Sequence, residues 1–249
     1  MGSGPGTCWD VAVRALLPGS DPTDLEAHYA YPDDLGGPHV RVNFVASADG
    51  AVTVDGRSGG LGSDADRRVF GTLRRLADVV LVGAGTVRAE NYGGARKPTR
   101  GRATPPPIAV VTGSADLDPT ARLFTDTQVA PIVLTGPAAP PDRLRALQAA
   151  GADVAVLDPL SPAAVLEELG RRGLHRVLCE GGPRFFGDLV AADLVDELCL
   201  TVAPVLAAGE AGRIAVGPSG SPPRALRLAG ALEDDGVLLL RYTRTGDTA

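Results

Sequence analysis

The sequence predicts an α/β protein whose mixed sheet is flanked by helices and ends in antiparallel strands. Short apolar runs alternate with amphipathic stretches along most of the chain, which is typical of strand–helix units. The run VVLVG, residues 79–83, is apolar throughout, as expected for a strand that is covered on both faces. Two final runs, RALRLAGALED and GVLLLRYTR, are joined by Asp-Asp-Gly, which predicts a C-terminal hairpin.

The first forty residues are rich in Gly, Pro and Asp and predict an arm, 1–39, ahead of a single domain, 40–249. One short helix is expected in DPTDLEAHYA, with Asp21 as its cap and Pro22 as its first residue. The aromatic residues of the arm are expected to pack on the body or on a partner subunit: Trp9, Tyr29 and Tyr31.

The body begins with HVRVNFVAS, a strand that enters a turn at ADG, and AVTVDG predicts a short second strand. SDADRRVFGTLRRLADV predicts an amphipathic helix with Ser63 or Asp64 as its cap. After VVLVG, the predicted strands are PIAVVTG, PIVLTG, DVAVLD, HRVLCEGG and VDELCLTVAPVL. The predicted helices between them are PPDRLRALQAAG, SPAAVLEELGRRG, with Ser161 as its cap, and PRFFGDLVAADL.

The composition limits the classes of function. Of 249 residues, 44% are hydrophobic and 22% are charged, which is sufficient for a packed core. The net charge is −6 and Lys and Arg form no dense block, which argues against a protein that follows a nucleic-acid backbone. No run reaches the ~18 apolar residues of a membrane span, and the start lacks the layout of a secretory signal.

The cysteines and histidines offer no metal site. Three widely spaced cysteines are expected to be buried structural thiols in a reducing cytoplasm: Cys8, Cys179 and Cys199. The three histidines have no mutual spacing for metal and are expected on the surface or in loops: His28, His39 and His175. We therefore expect a cytoplasmic protein without a metal ion.

Three segments follow predicted strands at the edge where ligands of open α/β sheets bind: SADG, GAGTVRAE and EGGPRF. They converge if their strands are neighbours. In the second segment, Gly83 and Gly85 permit close approach of a ligand, and a helix beginning at Thr86 would present free N–H groups to a phosphate. A tight structural turn is the alternative.

Glu180 closes a buried strand, where an unpaired carboxylate would be costly. It either binds a ligand or a cation, or caps neighbouring amides. Gly181 and Gly182 precede a helix that has Pro183 in its first turn, so an anion can bind at that helix start without a charged side chain.

Polar residues also mark the first strand and the first long helix. Asp49 and Gly50 form either a simple turn or part of the site. Asn43 and Ser47 share one face of the strand, so each meets either a polar ligand or an adjoining loop. Of the neighbouring residues Arg74 and Arg75, one is expected to face solvent and the other to reach a ligand phosphate.

The chain has no G-x-S-x-G elbow and no Walker loop, so its chemistry is expected to come from a bound cofactor. Glycine turns and helix starts around an apolar sheet suit a dinucleotide that supplies hydride.

Taken together, NFVASADG, the segment from GRSGGLGSDADRRVF to VGAGTVRAENYG, and VLCEGGPRFFGDLVAADLVDELCLTVAPVL resemble the pyrimidine reductase family. This family includes the C-terminal reductase domain of bifunctional riboflavin-biosynthesis deaminase/reductases and has a dihydrofolate-reductase-like fold. The resemblance runs from about Val40 to Tyr242 and identifies 40–249 as a reductase domain. Because no deaminase zinc signature is present, the chain resembles the stand-alone reductases of actinobacteria.

The resemblance implies that NADPH reduces 5-amino-6-(5-phosphoribosylamino)uracil or a related pyrimidine to its ribityl form, in a protein that is expected to be a homodimer. It assigns cofactor binding to Ser63, Gly83, Gly85, Thr86, Glu90, Gly181, Gly182, Pro183, Arg184 and Phe185. It places Ser58, Arg74 and Glu180 at the substrate, beside Asn43 and Ser47 from the polar-strand pattern. Asp49 and Glu180 are the candidates to relay a proton or orient the substrate.

The chain departs from the family pattern at two places. Glu90-Asn91-Tyr92 stands where relatives have Asp-Asp-Pro followed by an arginine, which Lys97 replaces at best. The acidic TGSADLD stands where relatives have basic residues suited to a 2′-phosphate, which weakens the expectation of NADP over NAD. Two alternatives stay open: reduction of a pteridine or folate on the same scaffold, and a non-catalytic nucleotide-binding dimer.

Overall fold

The computed structural model describes residues 13–17, 24–54, 58–217 and 222–245. The strands in these ranges are β1 (Arg14–Ala15), β2 (His39–Ser47), β3 (Val79–Gly83), β4 (Ile108–Thr112), β5 (Ile132–Thr135), β6 (Asp153–Val156), β7 (Arg176–Cys179), β8 (Glu197–Ala203), β9 (Leu226–Asp234) and β10 (Val237–Arg244). The helices are α1 (Leu25–His28), α2 (Asp64–Leu76), α3 (Ala84–Ala89), α4 (Arg122–Thr125), α5 (Pro141–Ala149), α6 (Pro162–Arg171) and α7 (Pro183–Ala191).

All ten strands form one sheet in the order β1-β9-β10-β8-β2-β7-β3-β4-β5-β6. From β8 to β6 every neighbouring pair is parallel, whereas β10 runs antiparallel to both β8 and β9. The predicted mixed sheet and C-terminal hairpin are therefore confirmed. Asp235 and Gly236 both have positive φ angles, 49° and 81°, in the tight turn that their sequence predicts.

Helices cover the sheet on both faces because each buries an apolar stripe. Ser63 caps α2, and its hydroxyl oxygen accepts a hydrogen bond from the N–H of Asp66. Ser161 caps α6 in the same way, as predicted. One core lies between the sheet and α2 to α5, and the second lies between the sheet and α6 and α7.

The N-terminal segment is joined to the sheet more closely than the sequence predicts. β1 pairs with β9, and α1 packs on α2. Tyr29 and Tyr31 are buried in the core, as predicted, whereas Trp9 lies outside the described residues. Asp24 caps α1, and the predicted cap, Asp21, also lies outside the described residues.

A buried ion cluster links this segment to the sheet. Arg41, which is fully buried, and Arg241 both bind the Glu197 carboxylate. Arg41 also donates to the Tyr29 carbonyl, at 2.7 Å, and Arg241 donates to the His28 carbonyl. The carbonyls of α1 and its C-cap thus satisfy two guanidinium groups that would otherwise be partly unpaired in the interior.

Three local predictions need correction or completion. In AVTVDG, residues 51–54 contain an isolated bridge at Val54 instead of a strand. His28, predicted on the surface or in a loop, is buried in α1 because its ring packs on Tyr29 and against the bare backbone of Gly230. Cys179 and Cys199 are buried free thiols, as predicted, and burial raises the pKa of each to about 12.

None of the helices in the described ranges combines the length and apolar character that a bilayer span requires.

Candidate active site

The three segments that follow strands in the sequence converge at one edge of the sheet. Their strands, β2, β7 and β3, are consecutive neighbours and run parallel, so their carboxyl ends lie side by side. Gly83, at the end of β3, donates its N–H to the Gly181 carbonyl beyond β7, at 2.8 Å. The predicted convergence is confirmed.

Glycine is required at this edge because backbone and side chains meet there. A β-carbon on Gly182 would lie 2.6 Å from Thr86 Oγ1, and one on Gly83 would lie 3.2 Å from the Gly182 nitrogen. Gly181 has a φ angle of +99°, and the peptide bond between Gly181 and Gly182 is cis. Thr86 and Gly182 therefore lie next to each other although 96 positions separate them in the chain numbering.

Two helices begin at these glycines. α3 begins at Ala84, two residues earlier than predicted, because Gly83 is already its N-cap, and Thr86 lies within the helix. α7 begins at Pro183 after the N-cap Gly182. Among the described residues no side chain caps either helix, so the N–H groups of the first turn of α7 are available to an anion.

Glu180 is held by two partners at the end of β7. Arg74 donates through Nε and Nη2 to its two carboxylate oxygens, at 2.8 and 2.7 Å, and Tyr92 donates its hydroxyl to Oε2. Burial lowers the pKa of Arg74, but the neighbouring Glu180 carboxylate raises it by more. The net result is a raised pKa. Burial and the charge of Glu180 raise the pKa of Tyr92 well above its usual value. The carboxylate is thus fixed in direction.

Tyr92 was noted in the sequence only as a departure from the family pattern. Its position follows from Asn91, which takes a φ angle of 48° and turns the chain back after α3. Arg75, the neighbour of Arg74, faces outward as expected and pairs with Glu26 at 2.8 Å. The spacing of aromatic residues held no signal for Tyr92, because its partner, Glu180, lies on a different strand.

Asp49 lies in an exposed turn beyond β2, and its carboxylate is occupied. It accepts from the Ser47 hydroxyl and from the N–H groups of Ala207 and Ala208, at 3.1 and 2.7 Å. The Ser47 hydroxyl, followed by the amides of Ala208 and Ala207, lowers the pKa of Asp49 to about 2. Ser47 thus meets an adjoining loop, the second of its two predicted alternatives. The catalytic role of Asp49 stays a prediction.

The remaining assigned residues are distributed along the same edge. Glu90, at the end of α3, accepts from both the N–H and the hydroxyl of Ser58, at 3.2 and 3.0 Å. Phe185 packs near Gly83 in the first turn of α7. Gly85 and Arg184 are exposed, and Asn43 is partly exposed on β2. The cofactor and substrate roles of these residues stay predictions.

A carboxylate that the sequence did not single out lies beside them. Asp66, on α2, accepts a hydrogen bond from the Thr201 hydroxyl of β8, at 2.6 Å. Thr201 is paired in register with Val45 of β2, so the Asp66 carboxylate reaches the centre of the sheet. Its spacing from Phe70 and Arg74 along one helix face was the available signal.

Two arginines approach the loop after β4, which the sequence showed only as acidic. Arg88, from α3, donates to the Asp116 carbonyl at 2.7 Å, and Arg143, from α5, donates to the Ser114 carbonyl at 3.1 Å. Both guanidinium groups are 3.7 Å from the Asp116 carboxylate, and both side chains are about half exposed. The two arginines therefore offset the negative charge that the sequence of the loop indicates.

A cavity of about 640 Å³ lies elsewhere, on the outer face of α2. Leu25, Thr72 and Lys97 are among its lining residues. Neither Arg74, Glu180 nor any of the converging glycines lines it, so it is not the candidate active site. Lys97, the expected replacement for the family arginine, lines this cavity instead.

A family model that describes the RibD C-terminal domain matches residues 38–240. The chain belongs to the RibD C-terminal domain family. This confirms the predicted family and the predicted riboflavin-pathway pyrimidine reductase, an oxidoreductase, at the level of the family.

Curated relatives include both stand-alone and two-domain members of the RibD C-terminal domain family. The 2,5-diamino-6-ribosylamino-4(3H)-pyrimidinone 5′-phosphate reductase of Archaeoglobus fulgidus is 31% identical over 183 residues, which cover 69% of this chain and 83% of that protein. The riboflavin biosynthesis protein RibD of Mycobacterium tuberculosis is 30% identical over 176 residues, which cover 70% of this chain and 44% of that protein.

The fold has close counterparts among solved structures. A pyrimidine reductase-like protein from Corynebacterium diphtheriae superposes with a TM-score of 0.75 at 28% identity, covering 84% of this chain and 93% of that chain. The predicted dihydrofolate-reductase-like fold, with its mainly parallel sheet, is confirmed. Membership of this family of reductases also indicates a nicotinamide cofactor.

Proposed function

We propose that this chain uses NADPH to reduce the ribosylamino group of a phosphorylated pyrimidine to a ribitylamino group. The observation that carries the proposal is the contact between Gly182 and Thr86 at the carboxyl ends of β7 and β3. This contact brings two glycine-bearing strand ends to the edge of the sheet where a dinucleotide can approach bare backbone.

The residues present fit a dinucleotide. Gly83, Gly181 and Gly182 form a surface without side chains, and a β-carbon on Gly181 would meet Phe44 at 3.1 Å. The uncapped first turn of α7 supplies N–H groups and the positive end of a helix dipole for a pyrophosphate. Thr86 supplies a hydroxyl at the same point. These features need no charged side chain to hold the pyrophosphate.

The phosphate that distinguishes NADPH from NADH fits the loop after β4. In sheets of this type, the residues beyond the strand next to the glycine turn contact the adenosine ribose, and arginine there accommodates a 2′-phosphate. In that position Arg88 approaches Asp116 and Arg143 approaches Ser114. Their pairing with Asp116 at 3.7 Å is long and exposed, so a phosphate can replace it.

The bound cofactor supplies a hydride to C1′ of the ring-opened, imine-like sugar, and the linking nitrogen gains a proton. The protein positions the substrate for this transfer, an effect that is worth about 7–11 kcal/mol in a well-aligned site. Glu180, whose carboxylate already has three donors, holds the side chains of Arg74 and Tyr92 in place at the sugar end of the substrate. Asp49 holds the loop at 207–208 in place, because its carboxylate already has three donors.

Replacing Gly182 with valine tests the dinucleotide site. The added side chain would collide with Thr86, so affinity for NADPH should fall at least a hundredfold while the fold is retained. Fluorescence titration measures the affinity, and circular dichroism reports the fold. The matched control is Gly71→Ala, on the outer face of α2, where a β-carbon meets nothing within 4 Å. Unchanged NADPH affinity in Gly182→Val would contradict the proposed site.

The same titration with NADH tests the cofactor preference. We expect NADPH to bind about tenfold more tightly or better, and Arg88→Ala and Arg143→Ala each to reduce that ratio. Arg145→Ala is the matched control, because Arg145 is exposed on the same helix as Arg143 and pairs with Asp142. An equal affinity for both cofactors in the unmodified protein would assign NAD instead.

Steady-state oxidation of NADPH separates the remaining candidates. Turnover with a phosphoribosylaminopyrimidine supports the proposal, whereas turnover with dihydrofolate alone would assign a folate reductase. Binding of NADPH without turnover of either class would favour the non-catalytic dimer.

We also propose a homodimer through the face of the sheet formed by β8, β10 and β9. Leu200, Leu238 and Leu240 remain partly exposed there, and Leu226 and Leu228 are each 38% exposed on β9. Paired apolar side chains of this kind are typical of subunit interfaces. Light scattering after size exclusion should give twice the chain mass, and Leu228→Lys should shift the molecule toward monomer. The two buried free thiols fit a cytoplasmic location.

A further inference from the structure

The cavity on the outer face of α2 is strongly cationic, and the proposed reaction does not use it. Its volume of about 640 Å³ is typical of small-molecule sites. Four of its eight lining residues are cations and one is an anion: Arg67, Arg68, Arg75 and Lys97 against Asp64. Because the whole chain has a net charge of −6, the cavity has the opposite sign of charge from the molecule that contains it.

The sequence of α2 places these side chains on one face of the helix. The lining residues at positions 64, 67, 68, 71, 72 and 75 follow the spacing of a single helical face, whereas Val69 and Leu73 face the core. Gly71 lies in the middle of the cationic face, and a β-carbon there would meet nothing within 4 Å. A glycine inside a helix lowers its stability, and no packing contact requires one here. The bare backbone therefore leaves open space between the cations.

The carboxylates near the cavity do not saturate its cations. Lys97 is exposed and has no ion pair with any described residue. Arg75 pairs with Glu26 at 2.8 Å, but Arg100 also approaches that carboxylate, at 3.6 Å. Arg67 pairs with an aspartate of its own helix, and the two side chains are 66% and 87% exposed. Exposed ion pairs contribute little to stability, so a multiply charged anion can replace them.

The cations are spread over a length that a single phosphate does not span. Arg68, anchored to Asp234 at 2.9 Å, and Arg75 are seven residues apart, about 10 Å along the helix axis. A group of linked phosphates offers oxygens to guanidinium groups at both ends, whereas orthophosphate reaches one end. Among the described lining residues, Leu25 is the one large apolar side chain, so the phosphates and not an attached ring dominate recognition.

We propose that this cavity binds the triphosphate group of a small molecule, either inorganic triphosphate or a nucleoside triphosphate, at a site separate from the active site. Arg74, Glu180 and the converging glycines do not line the cavity, so the inference goes beyond the proposed function and does not depend on it. On binding, the phosphate oxygens take over the exposed guanidinium groups and supply Lys97 with the anion that it lacks.

The composition provides a direct test, because Lys97 is the only lysine of the chain. The full chain, saturated with NADPH so that the proposed dinucleotide site is occupied, is treated with an amine-reactive ester. Peptide mass spectrometry then measures the acylation of Lys97. Inorganic triphosphate at about ten times its Kd should slow this acylation about tenfold. Sodium chloride at equal ionic strength should have little effect, and orthophosphate should protect Lys97 much less.

Variants locate the bound triphosphate. Arg75→Ala and Lys97→Gln should each weaken its binding about tenfold in isothermal titration calorimetry. Arg96→Gln is the matched control, because Arg96 adjoins Lys97, is exposed, pairs with Asp126 and does not line the cavity. Gly182→Val, which blocks the proposed dinucleotide site, should keep the triphosphate affinity of the unmodified chain.

The outcomes separate this inference from the proposed function. Protection of Lys97 by inorganic triphosphate or by ATP supports the inference, and tighter binding of ATP identifies a nucleotide as the source. No protection by either compound, or equal protection by orthophosphate, would overturn it. Triphosphate binding that is lost in Gly182→Val but kept in Lys97→Gln, or that the phosphorylated pyrimidine displaces, would assign the ligand to the active site and also overturn it. Loss of NADPH binding or turnover alone concerns the proposed function.

Discussion

Asp49 and Asp66 are two aspartates near the carboxyl end of β2 that differ in what their carboxylates already bind. Asp49 is exposed, yet a hydroxyl and two backbone N–H groups lower its pKa to about 2. Asp66 is more buried, yet it has a single hydrogen bond from Thr201, and burial raises its pKa. The protein saturates the carboxylate of Asp49, whereas it leaves acceptor positions free on the more buried Asp66.

The number of donors that each carboxylate already has separates a structural role from a role in ligand binding. A carboxylate saturated with donors fixes a loop and has little capacity left for a ligand. A carboxylate that folding leaves under-satisfied lowers stability, and such residues concentrate at functional sites. The motif that marks Asp49 in the sequence is therefore a weaker guide to substrate contact than the unsatisfied geometry of Asp66.

The largest expected effect is on catalysis. Asp66→Ala should lower kcat/KM for the proposed pyrimidine substrate about a hundredfold, because it removes a carboxylate that has free acceptor positions beside the site. Asp49→Ala should lower it less than tenfold, because the protein occupies that carboxylate. Steady-state NADPH oxidation measures both, and NADPH affinity should be the same in the two variants. A folded Asp49→Ala enzyme that loses more activity than Asp66→Ala would reverse the comparison.

A smaller effect is expected on stability. Removing the charge of Asp66 should stabilise the fold, whereas removing the charge of Asp49 should destabilise it. Because its pKa is raised in the folded state, the stability associated with this group is lost as the pH rises through that pKa. Asp66→Asn keeps the bond with Thr201 and removes the charge, so it should raise the free energy of unfolding at pH 7 by up to about 1 kcal/mol. The gain should shrink below pH 4. Urea denaturation at both pH values tests this, and a loss of stability at pH 7 would count against it.

The smallest effect concerns Asp49. Its pKa is lowered on folding, so the stability that it contributes is present above pH 4 and is lost as the pH falls through about 2. Asp49→Asn should therefore lower the thermal midpoint slightly at pH 7, and the two proteins should converge near pH 2. If the difference between the two thermal midpoints grew on acidification, the hydrogen bonds of Asp49 with the loop at 207–208 would not depend on its charge.

Local signals predicted most of the fold. Capping serines, apolar strands and the Asp-Asp-Gly turn each depend on residues within a few positions, and α2, α6, β3 and the hairpin follow from them. β1 could not be predicted, because its two residues form a strand only by pairing with β9, more than two hundred positions away.

Site residues could be predicted where they directly follow a strand. They could not be predicted where their role depends on contact with a side chain distant in the sequence. Gly83 and Gly182 could be placed in one cleft because parallel neighbours end at the same edge. Tyr92 and Asp66 could not, because Tyr92 matters through Glu180 and Asp66 through Thr201, and these pairs meet only in the folded chain. The two arginines that approach the loop after β4, Arg88 and Arg143, were missed for the same reason.

The paired guanidinium groups of Arg41 and Arg241 have a practical consequence for truncation. The family match begins at residue 38, but both arginines donate to main-chain carbonyls that precede it, at His28 and Tyr29. A recombinant fragment cut to the matched boundaries would lack those two carbonyl acceptors. One carboxylate, that of Glu197, would then have to balance two buried cations. The minimal autonomous unit therefore starts upstream of the homology, at the segment that contains α1.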